Sequence, residues 1–168
     1  HDIPQLRKSF LKFFENRNST CLIHIKTKKG KGYELAENDS ETYHGVGKFD
    51  LEKGFSKSNS KLTYSKIFGT ELVELANKNE NIYAITSGMI GGTGLNEFFE
   101  KFSDRSHDVG ICESHAVIFA SGLALKGKLP VVAIYSTFLQ RSFDQMIHDI
   151  AIVKSPVLFV LDRAGIVG

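Results

Sequence analysis

The sequence has 168 residues, of which 42% are hydrophobic and 24% charged, with a formal net charge of +2. That composition suits a soluble globular chain with a real core and one domain or slightly more. The small net charge argues against nucleic acid or a membrane surface as partner, and no apolar run approaches the roughly 20 residues that span a bilayer.

In chain order, "IPQLRKSFLKFFENR" places Leu6, Phe10, Phe13 and Phe14 on one side at helical spacing, with Pro4 in the first turn. "CLIHIKT" reads as a strand. A glycine-lysine loop follows, "KTKKGKG" at 26–32. From Glu34 to Leu62 the pattern is lost, and polar residues dominate as far as "SKSNSK", which predicts a linker or long crossing loop. Regularity then returns. "TYSKIFGTELVELANKN" predicts a helix with Ile67, Phe68, Leu72, Leu75 and Ala76 inward. "NIYAITS" predicts a strand, "GLNEFFEKFSD" a helix, and "HDVGIC" a strand. "SHAVIFASGLALKG" predicts a helix capped at Gly127. "LPVVAIYS" is a strand, "FLQRSFDQMIHDIAIVKS" a helix stopped before Pro156, and "VLFVLD" the last strand. Near-continuous apolar strands alternating with helices predict an α/β fold, a parallel sheet flanked by helices. Cys21 and Cys112 lie in strand-like runs and are expected to be small buried hydrophobes in a reducing compartment. There is no signal-peptide pattern. A start at His1 without Met and an end in "LDRAGIVG" are expected of a fragment.

Ligands of such sheets bind beyond the carboxyl ends of the strands. That rule selects 87–94, 112–115, 135–141 and 162–168. Glu113 stands at the second of these, before an apolar helix. Either it is a carboxylate favoured by the helix dipole, or it is a buried acid whose partner is a ligand. A carboxyl group walled by apolar side chains can hold or share a proton near neutral pH. Phe138 reads equally as a core ring, and Tyr135 as a tyrosine ending a strand with its hydroxyl in water. Arg141 and Arg163 read singly as surface ion pairs, but two arginines on one edge suit an anion, which guanidinium forks bind bidentately. "KKGKGY" is either a solvated lysine turn or a loop whose backbone N–H groups approach a phosphate. It lacks the spacing of a P-loop. His44 is a lone loop histidine. His115 and His148 lack metal-site spacing, and His148 reads as structural.

Taken together, "GICESHAVIFASGLALKGKLPVVAIYSTFLQRSFDQMIHD" with "LDRAGIVG", "AITSGMIGGTGL" and "KKGKGY" resembles the 1-deoxy-D-xylulose-5-phosphate synthases, thiamine-diphosphate enzymes related to transketolase. The resemblance implies that 1–33 is the C-terminal end of a diphosphate-binding domain, a helix and strand of the same class. It implies that 34–62 is a linker and 63–168 an incomplete pyrimidine-binding domain. It implies condensation of pyruvate with D-glyceraldehyde 3-phosphate to 1-deoxy-D-xylulose 5-phosphate with loss of carbon dioxide, the first step of non-mevalonate isoprenoid precursor synthesis. Glu113 then bonds a ring nitrogen of the aminopyrimidine and favours the tautomer that removes the thiazolium proton. Phe138 packs on the pyrimidine and Tyr33 contacts the cofactor, with Lys28, Lys29 and Lys31 in support. His44, Tyr135, Arg141 and Arg163 bind substrate, the arginines through its phosphate.

The chain has no "GDG" followed by a downstream Asn, the element that holds magnesium in these enzymes, so those ligands are expected upstream of His1 and no metal ligand is assigned here. Ile90, Gly91 and Ser114 depart from the family's usual proline, threonine and glutamine, in peripheral positions. A homodimer is implied, in a bacterial cytoplasm or a plastid stroma, with no nucleic-acid or membrane partner. Two other readings are open. One is transketolase-type ketol transfer between sugar phosphates. The other is a non-catalytic module that binds anions or nucleic acid through 26–32, although only Tyr33 offers an aromatic there.

Overall fold

The computed structural model describes residues 1–15, 18–55 and 62–166. The chain forms two compact units, His1–Asn59 and Ser60–Gly168.

The first unit opens with helix α1, Ile3–Glu15. The Asp2 carboxylate accepts the Gln5 N–H at 2.9 Å and satisfies a donor of the first turn. Leu6, Phe10 and Phe13 are half-buried, whereas Phe14 is exposed. The strand expected over 21–27 is not formed. A strand needs a neighbour for its N–H and C=O groups, and no described residue pairs with this segment, where Leu22 is 92% exposed and Cys21 is exposed too. The segment expected to be loop carries α2, Glu34–Asn38, a 3₁₀ turn at Thr42–His44 and a bridge between Asp50 and Gly54. Its "SKSNSK" portion, 56–61, lies outside the described residues.

The second unit is a parallel sheet with helices on both faces. Its elements are α3 (Tyr64–Lys78), β1 (Ile82–Thr86), α4 (Asn96–Lys101), β2 (Ser106–Asp108), α5 (Glu113–Leu125), β3 (Leu129–Tyr135), α6 (Ser136–Leu139), α7 (Phe143–Gln145) and β4 (Leu158–Asp162). All strands are parallel in the order β2-β1-β3-β4. Side chains alternate across the sheet. Ile82, Ala84, Val131 and Ala133 pack with Leu72, Val73, Ala76, Leu95 and Phe98 on one face. Ile85, Val132 and Ile134 pack with Ala116, Val117, Ala120 and Leu139 on the other. A fully buried side chain such as Phe98 contributes roughly 1.5–3 kcal/mol.

The Thr63 hydroxyl caps α3, accepting the Lys66 N–H at 3.2 Å. The buried stripe of this helix is Gly69, Leu72, Val73 and Ala76, while Ile67 and Leu75, expected inward, are exposed. The stripe is turned toward Gly69 because that residue lets the chain at Gly94 touch the helix backbone. A Cβ on Gly69 would stand 2.0 Å from the Gly94 carbonyl oxygen. Arg105 is buried and donates to the carbonyls of Ala76, Asn79 and Ile82, stapling the end of α3 to β1.

Two further expectations are corrected. The strand "HDVGIC" ends at Asp108, whose carboxylate accepts the N–H groups of Gly88 and Gly110, and Gly110 (φ +70°) turns the chain away. Cys112 is therefore exposed at the start of α5. The single helix over 138–155 is instead α6, a 3₁₀ turn at Gln140–Ser142, α7 and a π-helical turn at Met146–Ile152. The Ser121 hydroxyl donates to the Asp149 carbonyl at 2.7 Å, tying the widened turn to α5. Among the described residues no helix is long and apolar enough to cross a membrane.

On β2, His107 stacks on Tyr83 and meets Phe119 edge-on. Burial lowers its pKa from 6.5. The unfolded chain then binds more protons than the folded one as pH falls through 6.5, so stability declines on that side. Urea denaturation of the chain at about pH 7.5 and about pH 5 is expected to show a smaller acid-side loss for His107→Phe than for the parent. An equal loss would show that His107 does not titrate against the fold.

Candidate active site

Because the chain runs from β1 outward to β2 and then back across to β3, the order reverses between β1 and β3. In open parallel sheets ligands bind in the crevice at that point. The loop after β1 and the turn after β3 meet there. Tyr135 ends β3 in register with Asp162 of β4. Its hydroxyl lies over Gly92, where a Cβ would come within 1.8 Å of it. Only glycine leaves room for the ring in that place.

Glu113 is the first residue of α5 and is buried, at 5% exposure. Its Oε1 accepts from Arg141 Nη1 at 2.6 Å. The Ser114 hydroxyl donates to the Arg141 carbonyl at 3.1 Å and ties the two segments a second time. Arg141 also lies over the Phe138 ring, 5.1 Å from its centroid. Phe138 and Tyr135 stack at 5.6 Å, and Arg163 covers Tyr135 at 3.9 Å. Arg163 has a left-handed backbone (φ +54°) and donates to the Gly92 carbonyl at 2.8 Å and Asp162 Oδ1 at 2.9 Å. Asp162 in turn accepts from the Ser65 hydroxyl at 2.5 Å. A continuous row therefore runs along the edge: Glu113, Arg141, Phe138, Tyr135, Arg163, Asp162. The hydroxyls of Ser87 and Ser142, in the loops of the same edge, are buried without a hydrogen-bond partner among the described residues.

This row offers a dry carboxylate, flat aromatic faces and two guanidinium groups with donors to spare. Such a set suits a polar aromatic ring beside an anion. The second unit thus brings together Glu113, Phe138, Tyr135, Arg141 and Arg163, all singled out from sequence. Sequence reasoning reached Gly92 and Asp162 only within the stretches 87–94 and 162–168, and took Ser114 as peripheral, whereas its hydroxyl ties α5 to Arg141. A carboxylate ending a strand next to an arginine was the available signal for Asp162. Nothing in the spacing marked Gly92 as the floor beneath Tyr135.

Tyr33 and His44 belong to the first unit. Tyr33 is half-buried between Tyr43 and Phe49, at 5.5 and 5.8 Å, and donates to the Leu51 carbonyl at 3.1 Å. Burial raises its phenol pKa, with the Tyr43 hydroxyl adding to the shift. His44 is exposed and ends the 3₁₀ turn. Lys28 and Lys31 of the 28–33 loop, both about half exposed, pair with one carboxylate that sequence reasoning passed over. Glu37 Oε2 is 2.8 Å from Lys28 Nζ, and Oε1 is 3.5 Å from Lys31 Nζ. The Lys28 hydrogen bond, then the Gly32 N–H, hold the Glu37 carboxyl down to about 2. Among the described residues no three or more His, Cys, Asp or Glu side chains form a metal-binding group. His148 pairs with Asp149 at 3.0 Å, and His115 stacks with Phe119.

Residues 60–168 match the family model described as transketolase, pyrimidine binding domain. Curated relatives include proteins named 1-deoxy-D-xylulose-5-phosphate synthase from Natranaerobius thermophilus, 52% identical over 170 residues, and Clostridium beijerinckii, 54% identical over 168. Each match covers 100% of this chain and 27% of the relative, so the chain spans about a quarter of their length. A solved structure titled "Split gene transketolase, inactive beta4 tetramer" superposes with a TM-score of 0.52 at 27% identity, over 56% of this chain and 32% of that one.

Proposed function

The chain belongs to the transketolase pyrimidine-binding domain family, and from that premise we propose that the protein carrying it is a thiamine-diphosphate-dependent transferase. It joins the acyl carbons of pyruvate to the aldehyde carbon of D-glyceraldehyde 3-phosphate. The pyruvate carboxyl group leaves as carbon dioxide, and the product is 1-deoxy-D-xylulose 5-phosphate, the first step of non-mevalonate isoprenoid precursor synthesis. The observation that carries this reading is the buried Glu113 carboxylate on the carboxyl edge of a parallel sheet, beside stacked Phe138 and Tyr135, in a chain 52% identical to relatives of that name.

The donor set fits the pyrimidine half of the cofactor. When bound, the cofactor supplies a carbon acid whose conjugate base adds to a ketone. Glu113 holds a proton or hydrogen bond at its carboxylate, where exclusion of water strengthens the interaction. Phe138 offers its ring face. Arg163, fixed by Gly92 and Asp162, and Arg141 direct N–H groups at the substrate phosphate. Arg141 also touches Glu113, so the phosphate grip and the acid share one guanidinium. Tyr135 shapes the pocket. Tyr33 is assigned to the cofactor and His44 to the substrate by family resemblance. Magnesium is assigned to residues outside this chain, 1–33 to the end of the diphosphate-binding domain, 34–62 to a linker and 63–168 to the pyrimidine-binding domain. The assembly is a homodimer, and bacterial relatives support a bacterial cytoplasm, with a plastid stroma as the other setting.

The structural relative titled as a transketolase supports the second reading, ketol transfer between sugar phosphates. Carboxyl-labelled pyruvate given to the full-length protein with D-glyceraldehyde 3-phosphate and thiamine diphosphate is expected to release labelled carbon dioxide. No release, with turnover of a ketose phosphate, would favour ketol transfer.

A further inference from the structure

The loop 28–33, "KKGKGY", looks in sequence like a set of cations open to an external anion. In the structure it is closed on itself. Two successive tight turns, Lys31 N–H to Lys28 O and Tyr33 N–H to Gly30 O, fold it back over α2. Gly30 (φ +79°) lies so near the helix that a Cβ would come 2.5 Å from the Ala36 carbonyl, so the backbone of the loop rests on the backbone of the helix. Glu37, one turn into α2, reaches back to the Gly32 N–H at 2.9 Å, the donor just ahead of the helix. A helix side chain thus satisfies a backbone N–H just ahead of its own helix, one residue outside the position a capping box would use. The same carboxylate takes the ammonium groups of Lys28 and Lys31. Tyr33 is the hinge between loop and helix, and its ring is packed by Tyr43 and Phe49. The side-chain contacts that hold the loop ahead of Tyr33, to the Gly32 N–H, Lys28 and Lys31, therefore meet on one carboxylate, which backs up the two backbone turns.

We propose that Glu37 is a positioning residue for Tyr33: it folds the lysine-glycine loop onto α2 and so holds the tyrosine in a single orientation for the cofactor. The proposal rests on the reading that the protein binds thiamine diphosphate. It also reverses the role of the basic run. Lys28 and Lys31 already pair with Glu37, although each side chain remains about half exposed.

The test uses the full-length protein, with Glu37→Gln, which keeps size and removes charge. Amide hydrogen exchange at Gly32 without cofactor is expected to rise about tenfold, the effect of losing one charged acceptor. Binding of thiamine diphosphate with magnesium, followed by calorimetry, is expected to weaken about five- to tenfold. Turnover at saturating cofactor is expected to stay within about twofold, because the residue touches no reacting atom. Unchanged exchange at Gly32 overturns the proposal, as does faster exchange with unchanged cofactor affinity. If Glu37→Gln does not fold, Glu37→Asp, which keeps the charge but withdraws it by one methylene from the Gly32 N–H, is measured with the same two readouts. Failure of the parent protein to bind thiamine diphosphate would instead sink the reading of the preceding subsection, and that arm is measured on unaltered protein.

Discussion

Glu113→Gln in the full-length protein is expected to leave thiamine diphosphate bound while slowing exchange of its acidic ring proton by roughly 10²–10⁴-fold, the range that a positioned acid or base supplies. Glutamine keeps the shape of the side chain and an oxygen for Arg141 Nη1, now 2.6 Å from the carboxylate. It loses the negative charge and the ability to hold a proton. Arg141 is 55% exposed and can turn to water, so the fold should tolerate the change. The loss is therefore expected in the chemical step and not in stability or cofactor affinity. Nuclear magnetic resonance of the ring proton after acid quench measures it directly. Exchange near the parent rate would remove Glu113 from the mechanism.

Gly69→Ala is expected to destabilise the protein by about 2 kcal/mol, the usual cost of forcing a methyl group into packed backbone less the better helix propensity of alanine. The added carbon would meet the Gly94 carbonyl oxygen at 2.0 Å, and Gly94 itself has φ +79° and lies against the Ser65 carbonyl. Neither backbone can yield without moving the loop that carries Gly92 beneath Tyr135. Turnover should fall with stability for that reason. Gly122→Ala, in α5 with nothing within 4 Å of the added carbon, is the control. It is expected to be neutral or to stabilise by up to about 1 kcal/mol. Urea denaturation of the three proteins decides, and equal midpoints for the parent and Gly69→Ala would show that this contact is not tight in solution.

The parallel sheet was legible because β1, β3 and β4 are short apolar runs between helices; burial on both faces leaves that mark on β1 and β3, while β4, at the sheet's edge, is apolar but only partly buried. Glu113 was legible because an acid before an apolar helix, at the carboxyl end of a strand, breaks the local pattern. The strand expected at 21–27 went wrong because apolar composition cannot supply a partner for backbone hydrogen bonds. The expected helix over 138–155 went wrong because its periodicity is blind to the hydroxyl of Ser121, distant in sequence, which anchors the Asp149 carbonyl.

Local pattern thus determined most strands and helices of the second unit, apart from the end of β2 and the broken segment 138–155, and which residue types line its carboxyl edge. The tertiary structure alone decided their partners. It set Arg141 on Glu113, Arg163 between Gly92 and Asp162, and Lys28 and Lys31 on Glu37. The physical reason is that periodicity records a residue's own burial, whereas a salt bridge or a close backbone contact depends on two chain segments meeting, and their separation in sequence carries no trace of the distance in space.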